Sequence, residues 1–276
     1  MNISCEQEEL RKGLAVVRKV AANRANSPIT NNVLISAENS QLKLTATNLK
    51  TTISYWLSAS IKNEGAITIP ANTFANFINL LPSSQITMVI HTKRGLELKC
   101  AQYEAHISGL DAADFPPIPK IAEGMATKAE PEALRLAIAQ VVFAAASEES
   151  SPVLTGVHAE FEGGQLTLAA ADGFRLAVHK LSLATPVASK VAVIIPSCSL
   201  TELNRLLRKQ KEPVEIMINH QGSHILFRLK SVELTSELIQ GTFPNYTNII
   251  PKGYNTKATV NLSELMKAIR IASIFS

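Results

Sequence analysis

His220 and His224 are four residues apart, an interval that on a helix places two imidazoles on one face where they could share a metal ion. Gly222 lies between them in what reads as a hairpin turn, so the two rings are not expected to share a helical face or to bind a metal. Cys5, Cys100 and Cys198 are odd in number and far apart, which fits neither a disulfide framework nor the close pairs of a zinc site. They read as buried or idle thiols. The chain has no G-x-x-x-x-G-K loop for phosphates, no G-x-S-x-G elbow and no H-E-x-x-H pair. No catalytic residue, metal or cofactor is expected.

What remains is positive charge at helical spacing. Arg11 and Arg18 are seven apart, as are Lys12 and Lys19, and both pairs project away from the apolar stripe of Leu10, Leu14 and Val17. A helix opened by Ser199 and Glu202 is expected to bury Leu200, Leu203 and Leu207 and to expose Arg205, Arg208 and Lys209, with Lys211 in the turn that follows. Lys267 and Arg270 begin a similar face near the end of the chain. Such charges attract phosphates without fixing a register on a nucleic acid. Any one of them could equally solvate an outer helix face, but their repetition from helix to helix favours a basic lining. The lining is patchy: the helix expected over residues 73–81 carries no charge, and the one around 134–146 offers only Arg135 before Glu148 and Glu149.

These helices need a folded body to hold them. At 276 residues, with 46% hydrophobic and 18% charged content, the chain can bury the cores of two or three ordinary domains. The net charge of +4 is too mild to identify a partner. Apolar runs such as 141–146 and 191–195 fall far short of the roughly 20 residues needed to cross a bilayer, and Met1-Asn2-Ile3 does not open a signal peptide. The cytoplasm is the expected location, with no membrane partner.

Self-comparison reveals a repeat. Ser27-Pro28 recurs as Ser151-Pro152, Val33 as Val157, and Gln41-Leu42-Lys43-Leu44 as Gln165-Leu166-Thr167-Leu168, all at an interval of 124 residues. Further on, Pro70 answers to Pro196 at 126, and Phe115-Pro116 to Phe243-Pro244 at 128, a drift explained by small loop insertions. Leu10, Leu14 and Val17 match Leu134, Ile138 and Val141 on the opening helices. A third copy starts at Asn261-Leu262-Ser263-Glu264, an N-cap with an acidic residue three positions on, and continues with Leu265, Ile269 and Ala272. The sequence stops inside that helix, so the third copy is read as cut off. The expected domains are 1–122, 123–252 and an incomplete 253–276.

Each repeat divides into two halves of the same order, a strand, a helix and three strands. In the first repeat these fall near 2–5, 7–20, 33–37, 42–46 and 52–58, then near 66–69, 73–81, 86–91, 96–100 and 104–108. Short links such as Glu38-Asn39-Ser40 and Lys93-Arg94-Gly95 favour antiparallel pairing. The expected class is α+β, each repeat packing two helices on antiparallel sheet.

Several segments resemble the β sliding clamp of bacterial DNA polymerase III: 171–178 (Ala-Asp-Gly-Phe-Arg-Leu-Ala-Val), 241–246 (Gly-Thr-Phe-Pro-Asn-Tyr) and 111–116 (Asp-Ala-Ala-Asp-Phe-Pro). The resemblance covers the whole chain, and the family's three similar domains account for two and a fraction repeats. It implies repeated clamp domains, of which six, from two head-to-tail subunits, close a ring with helices lining the hole. The function implied is that of a processivity factor that encircles double-stranded DNA without reading its sequence and tethers the replicative polymerase. The alternative is a shortened relative that forms no ring and acts as a peptide-binding competitor or regulator.

The partners implied by the resemblance are DNA, the polymerase catalytic subunit, the clamp loader, other proteins with a clamp-binding motif and, given a whole third domain, a second subunit. Arg24 matches a position where the family touches DNA, whereas Asn72 stands where an arginine can occur, and Glu148, Pro152 and Val153 replace polar or aromatic contacts. A hydrophobic pocket for a short linear motif would use Leu154, Gly173, Arg175, Leu176, Pro244 and Ile249, with Ala171, Phe174 and Asn248 in place of the usual threonine, histidine and arginine. In the family the third domain supplies the pocket's C-terminal wall and one side of the subunit interface. Without the resemblance, Leu154, Leu176 and Ile249 would read as core, while the turn Gly173-Phe174-Arg175 reads as exposed.

Overall fold

A computed structural model describes residues 1–21, 28–38, 41–92, 95–147, 151–251 and 253–275. By packing they form two units, Met1–Phe243 and Pro244–Ser276, taken here in turn.

The first repeat runs β1 (Asn2–Glu6), α1 (Gln7–Ala21), β2 (Asn32–Glu38), β3 (Gln41–Thr47), β4 (Thr51–Ser58), β5 (Ser60–Asn63), β6 (Gly65–Pro70), α2 (Ala71–Leu80), β7 (Gln85–Thr92), β8 (Gly95–Cys100) and β9 (Tyr103–Ser108). The second runs β10 (Gly124–Ala129), α3 (Pro131–Val141), β11 (Gly156–Glu162), β12 (Gln165–Ala171), β13 (Leu176–Ser182), β14 (Val191–Pro196), α4 (Ser197–Leu207), β15 (Val214–Asn219), β16 (His224–Arg228) and β17 (Val232–Glu237). Apart from the extra edge strand β5, this is the order the repeat predicts, and the α+β class holds. No described helix is long and apolar enough to cross a membrane.

The helices form for local reasons. On α1, Glu8 and Glu9 in the first turn and Arg18 and Lys19 in the last complement the macrodipole, while Leu10, Leu14 and Val17 are at most 1% exposed. Burying side chains of this size is worth about 1.5–3 kcal/mol each. Gly13 lets the helix lie close to the sheet, because a Cβ there would come within 2.8 Å of the Tyr55 ring. Helix α3 starts with Pro131 at its first turn, where the missing N–H costs nothing, and buries Leu134, Ile138 and Val141. It ends at Val141, short of the expected 146: a single 3-10 turn, Val142–Ala144, follows, and the chain becomes extended at Ala145.

Among the described residues the strand pairs are all antiparallel, in three sheets ordered β5-β1-β7-β8-β9, β10-β15-β16-β17-β4-β3-β2-β6 and β13-β12-β11-β14. The eight-stranded sheet joins the repeats. β4 of the first pairs with β17 of the second, with Ile53 opposite Leu234 and Thr51 opposite Ser236. Behind that join the hydroxyl of Ser199 lies 2.6 Å from that of Thr51 and 2.8 Å from that of Ser236, all three side chains being buried. Ser199 therefore does not open α4, as the sequence suggested. It sits inside the helix, which starts after Pro196, and its hydroxyl fastens the two repeats together.

The second unit contains a short 3-10 turn, Thr247–Ile249, and α5 (Leu262–Ala272). The Asn261 side chain accepts hydrogen bonds from the backbone N–H groups of Ser263 and Glu264, the cap expected from the sequence. Leu265 and Ile269 are 42% and 52% exposed, whereas the matching positions of α1 and α3 are buried.

Candidate functional site

The segment joining β12 to β13 is built around one carboxylate. Asp172 Oδ1 accepts from the backbone N–H groups of Phe174 and Arg175, each at 3.0 Å, and its Oδ2 accepts from Arg175 Nε at 2.8 Å. Gly173 takes φ +92, a conformation open to glycine and costly for most side chains. The two backbone donors, and then the Arg175 guanidinium, hold the Asp172 carboxyl below its ordinary range, so it stays ionised as the anchor of the turn. The turn leaves Phe174 fully exposed and lays the Arg175 guanidinium carbon 5.8 Å from the centre of the Phe143 ring.

Phe143 belongs to the 3-10 turn after α3, and a few residues on the Ala146 N–H donates to the carbonyl oxygen of Leu154 at 2.9 Å. The segment 142–146 thereby touches both the Arg175 turn and the short 3-10 helix Pro152–Thr155 that carries Leu154. Leu154 and Leu176 are half-buried, neither core nor free surface. Four of the six expected pocket residues thus lie on neighbouring pieces of the first unit. Pro244 and Ile249 belong to the second, where both are exposed and where Asn245 Oδ1 accepts from Thr247 N–H at 3.1 Å ahead of Ile249. Sequence reasoning missed Asp172 and Phe143 as parts of this surface. The three-residue interval between Asp172 and Arg175 was the available signal for the first, whereas Phe143 read as one more apolar residue in a run.

The basic residues divide by what they touch. Arg11, Lys19, Arg208 and Lys209 are exposed and Arg18 is half-buried. Lys12 is exposed but paired with Glu9 at 2.6 Å. Arg205 departs from the expectation of an exposed cation: its side chain is 24% exposed, its Nε meets Glu202 at 2.8 Å, and its Nη2 donates to the carbonyl oxygen of Val16 on α1 at 2.9 Å. It is spent on packing, because its length reaches a neighbouring helix from the edge of the buried stripe. Arg135 is likewise tied to Glu132, at 2.6 Å. Lys267 and Arg270 lie exposed on α5. Arg24, Glu148 and Glu149 fall outside the described residues.

The remaining candidates for chemistry stay apart. His224 begins β16 with Nδ1 2.9 Å from the Ser223 hydroxyl, and His220 sits in the preceding turn, so the pair shares no helical face. Cys5 and Cys100 are buried and Cys198 is exposed; burial, with a smaller contribution from Glu6, pushes the Cys5 thiol up to about 12. Glu97, Glu104 and His106 have ligand atoms within 4.8 Å of one another, but the Lys99 ammonium already stands 2.7 Å from Glu97 and 3.6 Å from Glu104.

Comparison with known proteins places this arrangement. Residues 1–119 match the family described as DNA polymerase III beta subunit, N-terminal domain, and residues 128–245 match its central domain. The chain is 31% identical to the beta sliding clamp of Synechococcus elongatus, over 99% of this chain and 74% of that one, and 29% identical to that of Bacillus subtilis, over 100% and 75%. The solved Bacillus subtilis DNA polymerase sliding clamp superposes with a TM-score of 0.95 at 29% identity, covering 100% of this chain and 74% of that one. The DNA polymerase III subunit beta from Pseudomonas aeruginosa gives 0.86 at 30% identity, covering 92% and 69%. The same coverage corrects one expectation. These 276 residues span about three quarters of the relatives' length, and the apolar face of α5 is uncovered, so a DNA-encircling ring that tethers a polymerase is not the reading for them.

Proposed function

Since the chain belongs to the DNA polymerase III beta subunit family, the beta sliding clamps, we propose that these 276 residues act without encircling DNA, as a peptide-binding competitor or regulator among clamp-binding proteins. The family is non-catalytic, and its general role of binding DNA and other proteins comes with membership. The proposed domains are 1–122, 123–252 and the opening of a third at 253–276.

The observation that carries the reading is the Asp172-anchored turn, which holds Arg175 against Phe143 beside Leu154 and Leu176. A rigid arginine next to half-buried leucines is what a short apolar motif needs: pockets for its side chains and one polar group to set its direction. Leu154, Gly173, Arg175 and Leu176 are the proposed peptide contacts of the first unit; Pro244 and Ile249, exposed in the second, are proposed peptide contacts of that unit taken by itself. The proposed donors of the motif are the polymerase catalytic subunit, the clamp loader and other proteins that carry it; a homodimer of the family kind is proposed only where a whole third domain is present. Sequence-independent contact with duplex DNA is assigned to Arg11, Arg18, Lys19, Arg208 and Lys209, for which no carboxylate partner stands among the described residues.

Binding of a fluorescent clamp-motif peptide tests the pocket. Arg175→Ala and Leu176→Ala should each weaken it about tenfold or more, the effect of losing ~1.4 kcal/mol. Unchanged affinity in both variants would remove these assignments. Retention on nicked circular DNA should equal retention on the linear form, because only a closed ring tells the two apart.

A further inference from the structure

The turn that holds Arg175 occurs twice in the chain. At the repeat interval of 124 residues, Asp172-Gly173-Phe174-Arg175 answers to Asn48-Leu49-Lys50-Thr51, which joins β3 to β4 as the other joins β12 to β13. Asn48 Oδ1 accepts from the backbone N–H groups of Lys50 at 3.1 Å and Thr51 at 2.7 Å, as Asp172 Oδ1 accepts from those of Phe174 and Arg175. Leu49 takes φ +75 where Gly173 takes +92, although a leucine is strained there, and it stands 63% exposed. The backbone of the turn is kept while its side chains change.

The second repeat packs against this first copy. Ser199 of α4 lies 2.6 Å from the Thr51 hydroxyl, and the Glu237 N–H at the end of β17 donates to the Lys50 carbonyl oxygen at 2.8 Å. Beside these contacts a cavity of about 680 Å³ opens, wholly within the first unit. Pro152, Pro196, Leu238 and Ile239 give it apolar walls. Lys50, in the place of Phe174, is an exposed cation on the lining, and Glu237 adds one carboxylate; neither has an ion-pair partner among the described residues. Apolar walls with a few polar groups, at a volume inside the roughly 300–1,000 Å³ of ligand sites, are what holds and orients a small guest.

We propose that this cavity at the join of the repeats is a second peptide site, distinct from the Arg175 surface. It takes a short extended segment that turns an aliphatic side chain to the four apolar walls and sets a neighbouring carboxylate on Lys50, while Glu237 accepts from a backbone N–H of the segment. Arg175 and Phe143 at one turn, against Lys50 and no aromatic lining at the other, make the two sites select different segments. A DNA phosphate would engage Lys50 but has no use for the apolar walls. The peptide class rests on the peptide-binding reading of the second turn; the cavity and its polarity do not.

Cys198 lines the cavity and is the exposed one of the three thiols, so a guest can be captured in place by disulfide exchange. The full chain is equilibrated with acetyl-Asp-Leu, acetyl-Lys-Leu and acetyl-Asp-Ser, each carried on a cysteamine mixed disulfide under excess 2-mercaptoethanol, and capture is read as intact mass. Acetyl-Asp-Leu should be captured about tenfold or more over the other two, a difference of ~1.4 kcal/mol. Lys50→Glu should move the preference to acetyl-Lys-Leu. Ser147→Trp, which fills the cavity from an exposed position on its lining, should abolish capture, with the unfolding midpoint of both variants unchanged. Arg175→Ala should leave capture as it was, so a failure of clamp-motif peptide to bind at the second turn removes that reading and leaves this site standing. Equal capture of the three fragments overturns the proposal. So does a Lys50→Glu variant that keeps the original preference and instead lowers the salt dependence of duplex DNA binding, which would give the lysine to DNA.

Discussion

Arg205 on α4 donates from Nη2 to the carbonyl oxygen of Val16 on α1 at 2.9 Å, across 189 positions of the chain, while Glu202 holds its Nε. A charged donor in this setting contributes about 1.5–3 kcal/mol. Arg205→Ala should lower the unfolding free energy by that order in urea titration and leave DNA affinity nearly unchanged. A large loss of DNA binding with normal stability would return Arg205 to the DNA-facing set.

The hydroxyl relay Thr51–Ser199–Ser236 has a cost when its middle member is removed. Ser199→Ala takes its partner from the buried Thr51 hydroxyl, while Ser236 still donates to the carbonyl oxygen of Glu237 at 3.0 Å, and we expect ~1–3 kcal/mol of destabilisation, seen as a lower denaturation midpoint with an unchanged slope. A midpoint matching the parent protein would show that water or a rotamer change replaces the relay.

Salt dependence tests the exposed cations. If Lys19 and Arg208 each neutralise a phosphate, the double alanine variant should reduce the slope of log affinity against log salt by about 2. Lys12→Ala should change it less, because Glu9 already engages that ammonium.

Two groups lose their stabilising contributions as pH falls, each in its own range. The Asp172 carboxyl is held below its ordinary value of 3.8, so the turn's stabilisation is complete above that pH and is lost as pH falls through the depressed value. Peptide binding should survive acidification to about pH 4, and the Asp172 carboxyl carbon should titrate below 3.8 in NMR. His158, stacked on Phe243 at 5.2 Å, is lowered from 6.5 by burial. Its neutral form favours the fold above pH 6.5, and stability should begin to fall below that pH; His158→Gln should flatten the fall.

The repeat, the helix faces and the strand order were readable because each is a local pattern of side chains: Leu10, Leu14 and Val17 announce a buried stripe whatever they pack on. The Asp172 turn was half readable, since an aspartate followed by glycine marks a turn but does not reveal that its carboxylate also grips Arg175. Arg205 and Ser199 were misread because their partners, Val16 and Thr51, are remote in sequence, and an arginine on a helix looks the same whether it meets solvent or a carbonyl. The end of α3 was misplaced because 141–146 is uniformly apolar. Past the helix end the Ala146 N–H donates to the carbonyl oxygen of Leu154, a tertiary contact that no local pattern announces.

The pairing of β4 with β17 also orders events during synthesis. β4 is complete when Ser58 leaves the ribosome, but its partner begins at Val232. At the usual rate of about 5–20 residues per second the first repeat carries that open edge for roughly 10–40 seconds. Nascent chains on one messenger are at that stage together, each showing a strand edge the others can take. Slowing translation between the two strands should therefore lower the yield of folded protein, while appending the second repeat as a separately folded polypeptide should not fully rescue it.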